Sequence, residues 1–135
     1  MEAEMLQTCE DTLLIVDDEP LMTELFEKFM SKRGFRVLTA ASGAEALRIV
    51  EHEKERIDLI LTDMSMPVMD GLTLARELAR HAPSVPVMLA TGYAADLETT
   101  VDLPNIVSVV RKPYQNKVLV EQIRELLTAH RSGLR

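Results

Sequence analysis

The feature that most constrains the fold is an alternation. Short apolar runs of strand length are separated by segments with helical spacing, five times over residues 12–130. Leu13-Leu14-Ile15-Val16, Leu59-Ile60-Leu61 and Val87-Met88-Leu89-Ala90 are continuous apolar runs, as expected of strands covered on both faces. Regular alternation of this kind implies a parallel sheet with helices on both sides. The spacing predicts strands at 12–17, 36–40, 57–63, 85–91 and 106–110. It predicts helices at 20–32, 43–52, 72–81, within 94–101, and at 115–130.

Local signals agree with these boundaries. Pro20 suits a first helical turn and Gly34 a helix C-terminus. Met22, Leu25, Phe26 and Phe29 follow helical spacing; for Leu21, Met22 and Leu25 contact with a partner protein is the other reading, but core packing accounts for most of their apolarity. Ser42 followed by Glu45 forms a capping-box signal. Asp70 is placed to cap the third helix after the turn Met66-Pro67-Val68-Met69. The methionines of that turn read as loop packing. Leu119, Ile123, Leu126 and Leu127 share one face of the last helix. The chain divides into a tail at 1–11, one domain at 12–130 and a short tail at 131–135.

Composition excludes several classes of function. A net charge of −7 argues against direct nucleic-acid binding, which needs a basic footprint. No apolar stretch approaches the roughly 20 residues that span a bilayer, so no membrane partner is expected. The start Met1-Glu2-Ala3-Glu4 is acidic where a signal peptide is basic. Cys9 is the one cysteine, and it cannot form an internal disulfide. The expected location is the cytoplasm.

Chemistry enters at the strand ends. The first run ends in Asp17-Asp18, the third in Asp63 and the fourth in Thr91, while the fifth leads into Lys112-Pro113. In the flavodoxin-like strand order 2-1-3-4-5, the first and third strands are neighbours at the switch point, outside whose carboxyl ends ligands bind. Asp17, Asp18 and Asp63 then face one another, with Thr91 and Lys112 on the next strands. Clustered carboxylates raise one another's proton affinity unless a cation joins them. An all-oxygen donor set selects a hard ion, and Mg²⁺ is the natural one. Beside such an ion a phosphoryl group is favoured, and a carboxylate can serve as its nucleophile. Singly, each residue has an ordinary reading: Asp17 and Asp18 as helix caps, Asp63 as a turn-former, Lys112 as a surface lysine. The set is what changes the reading. His52, His81 and His130 lie on predicted helices as solvated residues and receive no chemistry.

The segments Val16-Asp17-Asp18-Glu19-Pro20, Leu61-Thr62-Asp63-Met64-Ser65-Met66-Pro67 with Asp70-Gly71, Ala90-Thr91-Gly92 and Lys112-Pro113-Tyr114 resemble the receiver domain of two-component response regulators. The likeness runs from about Thr12 to Ala129. It implies a five-stranded α/β fold, (βα)₅, with Asp63 accepting a phosphoryl group from a histidine kinase or a histidine phosphotransfer protein. It implies Mg²⁺ held by Asp18, Asp63 and the Ser65 carbonyl, with Asp17 acting through water. It implies that Thr91 and Lys112 bind phosphoryl oxygens and that Lys112-Pro113 is a cis peptide that aims the lysine. A domain of this family is a signalling switch that catalyses only its own phosphorylation and dephosphorylation. Its output goes to a downstream effector or to a covalently linked kinase. Ser65 and Tyr93 would flank the path of attacking water.

Two departures stand out. Val109 occupies the position, three before the lysine, where the family often has Tyr or Phe. Valine has no comparable rotamer swing. Residues 98–104 differ from the family's usual Ala/Gly-rich stretch, which predicts a short or mobile fourth helix. The competing reading is a degenerate receiver that binds partners without phosphate. Two enzyme readings fit less well. Asp17-Asp18-Glu19-Pro20 repels the phosphate that a flavodoxin loop cradles, and it lacks the paired acids of a haloacid-dehalogenase phosphatase.

Overall fold

A computed structural model describes residues 11–92 and 103–132 of the chain. Five strands, β1 (Thr12–Val16), β2 (Arg36–Ala40), β3 (Leu59–Asp63), β4 (Val87–Thr91) and β5 (Ile106–Arg111), form one sheet in the order β2-β1-β3-β4-β5. Every pairing is parallel. Four helices are described: α1 (Pro20–Ser31), α2 (Gly43–Glu53), α3 (Gly71–His81) and α4 (Asn116–Ser132). The helix expected within 94–101, Tyr93 and Cys9 lie outside the described residues.

Side-chain alternation along the strands divides the core into two layers. Leu14, Val16, Ile60, Val87 and Leu89 pack with Ala46 and Val50 of α2 and Leu74 and Leu78 of α3. Leu13, Ile15, Leu59, Leu61 and Met88 pack on the opposite side with Phe26 and Met30 of α1 and Leu119, Ile123 and Leu127 of α4. A period of two on a strand sends neighbours to opposite faces. Because β1, β3 and β4 are apolar at both parities, they can be covered on both faces. At about 25 cal/mol per Å² of buried apolar surface, such residues supply most of the driving force.

One expectation about α1 is corrected. Leu21, Met22 and Leu25 are 65 %, 47 % and 52 % exposed, so core packing does not explain them. Only Phe26 and Met30 of this helix are buried. The helix docks through a narrower stripe than its apolar spacing suggests. Leu25, Met22 and Phe26 there line a groove of about 640 Å³ together with Asp17, Lys112, Pro113 and Tyr114.

The helix starts follow the signals in the chain. Asp70 accepts the Thr73 N–H at 2.8 Å and caps α3. Ser42 accepts the Glu45 N–H at 3.1 Å and caps α2. The capping box closes one residue early: Glu45 Oε1 accepts from the Ala41 N–H at 2.8 Å. Gly34 sits at φ 94°, the left-handed conformation that favours glycine after a helix.

Candidate functional site

Strand register brings the polar strand ends together. Val16 pairs with Thr62, so the next residues on the two strands are Asp17 and Asp63. Asp63 pairs with Ala90, one before Thr91, and Thr91 pairs with Arg111, one before Lys112. The Lys112 N–H donates to the Thr91 carbonyl at 2.8 Å, carrying the ladder past the end of β5. The Lys112-Pro113 bond that follows is cis.

The result is a compact acidic cluster facing one cation. Asp17, Asp18 and Asp63 each offer a carboxylate oxygen, and these oxygens lie within 4.8 Å of one another. Lys112 Nζ lies 2.8 Å from Asp63 Oδ1. The Asp63 side chain is 11 % exposed, whereas Asp18 is open to solvent. Thr91, the last residue of β4, is buried. Ser65 is exposed two residues beyond Asp63.

The electrostatics of the cluster are unbalanced. Burial raises the Asp17 pKa above its ordinary value; the Glu19 N–H, 3.0 Å from Asp17 Oδ1, opposes this, and the charges of Asp63 and Asp18 add to it. Lys112 is raised as well: burial pulls it down, but the bond to Asp63 and the charges of Asp63 and Asp17 outweigh burial. Burial likewise raises Tyr114, which lies in the field of Lys112, Asp17 and Asp63. Three acids and one lysine leave excess negative charge on oxygen donors. That donor chemistry fits a hard divalent cation such as Mg²⁺, which takes few carboxylates and keeps water. Among the described residues this is the one His/Cys/Asp/Glu group close enough to hold a metal.

The backbone behind Asp63 depends on a residue to which sequence reasoning gave no role. A Cβ on Gly71 would lie 2.5 Å from the Asp63 carbonyl oxygen and 2.9 Å from Met64 Cα. The Gly71 N–H also donates to the Met64 carbonyl at 2.8 Å. The first turn of α3 is therefore pressed against the end of β3, and only glycine allows that approach. The signal was the Asp70-Gly71 pair itself. Its packing role needs the third dimension.

The family model described as "Response regulator receiver domain" matches residues 13–124. The chain belongs to the response regulator receiver family. Among curated relatives of this receiver domain, the sensor kinase CckA of Brucella abortus is 36 % identical over 118 residues, covering 86 % of this chain but 12 % of that kinase. The response regulator receiver protein CpdR of Brucella abortus is 34 % identical over 118 residues, covering 87 % of this chain and 97 % of CpdR. The chain thus spans a small part of some relatives and nearly all of others. A receiver domain protein from Clostridium thermocellum superposes with a TM-score of 0.83 at 28 % identity, covering 90 % of this chain and 97 % of that one. The response regulator TrrA of Thermotoga maritima, solved in complex with Mg²⁺-BeF, gives 0.74 at 28 % identity, covering 86 % and 98 %. No helix among the described residues is long and apolar enough to cross a membrane.

Proposed function

We propose that this receiver domain, residues 12–130, is a Mg²⁺-dependent phosphoacceptor in a two-component phosphorelay, with 1–11 and 131–135 as flanking tails. The carrying observation is that Asp17, Asp18 and Asp63 converge within 4.8 Å while Lys112 lies 2.8 Å from Asp63. Family membership and the Mg²⁺-BeF complex of the Thermotoga maritima relative support the reading. The proposed setting is the cytoplasm, with a histidine kinase or histidine phosphotransfer protein as donor.

An Asp63 carboxylate oxygen attacks the phosphorus of a phosphohistidine. The new O–P bond forms as the P–N bond breaks, and the imidazole keeps the electron pair and takes a proton from solvent. Such transfer needs positioning and charge neutralisation more than acid–base chemistry. Lys112 and the Thr91 hydroxyl take phosphoryl oxygens. Asp18, Asp63 and the Ser65 carbonyl would hold the cation, with Asp17 acting through water, and a bound Mg²⁺ would supply charge neutralisation at the phosphoryl oxygens. The exposed Met22 and Leu25, which line the groove with Asp17, give the donor an apolar surface next to the acids. Charging Asp63 then biases two packings of the distal face, which an effector or a linked kinase reads.

One observation favours a second reading, a phosphate-independent interaction module. Val109 is half-buried against the layer of α2 and α3, where the family often has an aromatic. Beryllofluoride, a phosphoryl mimic, separates the two. With Mg²⁺ present, the switch predicts NMR shifts that reach β5, and the degenerate module predicts shifts confined to the cluster.

A further inference from the structure

The loop between β3 and α3 carries Ser65 and is built at a conformational cost. Val68 has φ 70°, a genuine outlier for a β-branched residue. The Met69 N–H donates to the Pro67 carbonyl at 2.7 Å, closing a three-residue γ-turn about Val68. With φ positive, that turn is the rare and strained form. The Val68 side chain is fully exposed, so it has no packing to hold it there. A strained residue persists only where its surroundings over-determine it.

The surroundings lie on another element. Met69 is half-buried, and it rests on Gly43, the first residue of α2. A Cβ at Gly43 would lie 2.6 Å from Met69 Sδ, 3.1 Å from Cγ and 3.2 Å from Cβ. Gly43 is not in the left-handed region, so its lack of a side chain serves close approach and not backbone freedom. Gly43 is fixed in turn by the Ser42 cap and by the Glu45 bond to the Ala41 N–H. The other end of the loop is pinned at Gly71, whose N–H donates to the Met64 carbonyl. The loop is thus held at its closing end by Gly71 and along its course by Met69.

We infer that Met69 and Gly43 are a positioning pair that orients the Ser65 carbonyl toward the cation, through the strained turn at Val68. The inference rests on the Mg²⁺ reading above and adds two residues that touch neither metal nor phosphate. Outer supports of a metal site typically change affinity by about 10–100-fold when removed. The test is Mg²⁺ titration of the unphosphorylated protein, followed by NMR, for wild type, Gly43→Ala, Met69→Ala and the double variant. Each single change is expected to weaken Mg²⁺ binding by about tenfold, with the double variant no weaker than the worse single, as for two halves of one contact. Met69→Ala introduces no clash, so it carries the test even where Gly43→Ala does not fold. Equal Mg²⁺ affinity in wild type and folded Met69→Ala would overturn the pair, as would losses that multiply in the double variant. A wild type that binds no Mg²⁺ would instead overturn the proposed function on which the pair depends.

Discussion

Asp17 bears the electrostatic strain of the site, and its partners fix the sign of the effect. Its folded pKa is raised by burial and by Asp63, so the folded state binds a proton more readily than the unfolded chain. Its ionised form therefore costs stability above the raised pKa. That cost is relieved as pH falls through the raised value toward the ordinary carboxylate range. In cation-free buffer at neutral pH, Asp17→Asn is expected to raise the thermal midpoint, with a gain that shrinks on acidification. Calorimetry across pH checks this, and a lower midpoint at neutral pH would count against it. Lys112 behaves differently. It faces Asp63 at 2.8 Å but is 36 % exposed, so the pair itself adds little to stability. Its proposed work is on the phosphoryl oxygens. Lys112→Ala should leave the fold intact and slow phosphotransfer by about 10²-fold, the scale of losing one preorganised charge donor. Rapid-quench phosphotransfer measures it.

At the level of elements, helix starts and close approaches set the position of Asp63. Asp70→Ala removes the cap at the Thr73 N–H and should cost about 1 kcal/mol in denaturant titration. Gly71→Ala is more disruptive. The added methyl meets backbone at 2.5 Å, so α3 or the end of β3 must move, at a cost of about 1–3 kcal/mol. These two neighbours show what the chain discloses. The cap was legible because it is local: an acid, a short interval and a helical pattern. The strand order followed from alternation, and the convergence of Asp17, Asp18, Asp63 and Lys112 followed from the strand order. Gly71 and Gly43 were not legible as packing residues, since their partners, 63–64 at the end of β3 and Met69 in the loop that follows, are set by the path of the chain and not by local spacing. The exposure of Leu21, Met22 and Leu25 is hidden in the sequence for a related reason. Helical spacing reports an apolar stripe but not how far the sheet extends beneath it. The early closure of the capping box on Ala41 is a matter of local backbone path, which spacing alone does not fix.

For the molecule as a whole, the sheet delivers five polar groups to the carboxyl ends of its strands, where three carboxylates face one lysine. A ligand that binds only the folded state stabilises it by mass action, by about 2.7 kcal/mol at a hundredfold excess over its dissociation constant. Mg²⁺ is therefore expected to raise the thermal midpoint in a concentration-dependent way, and Asp63→Asn should reduce that rise. A phosphoryl group is expected at Asp63 and nowhere else. Its most direct measurement is phosphate incorporation from acetyl phosphate in the presence of Mg²⁺, mapped by mass spectrometry on wild type and Asp63→Asn. One acid-labile phosphoryl group is expected on the Asp63 peptide of the wild type, none after Mg²⁺ is chelated, and none on the variant. A wild type that stays unphosphorylated by any competent donor, or an Asp63→Asn protein charged as fully as the wild type, would contradict that expectation.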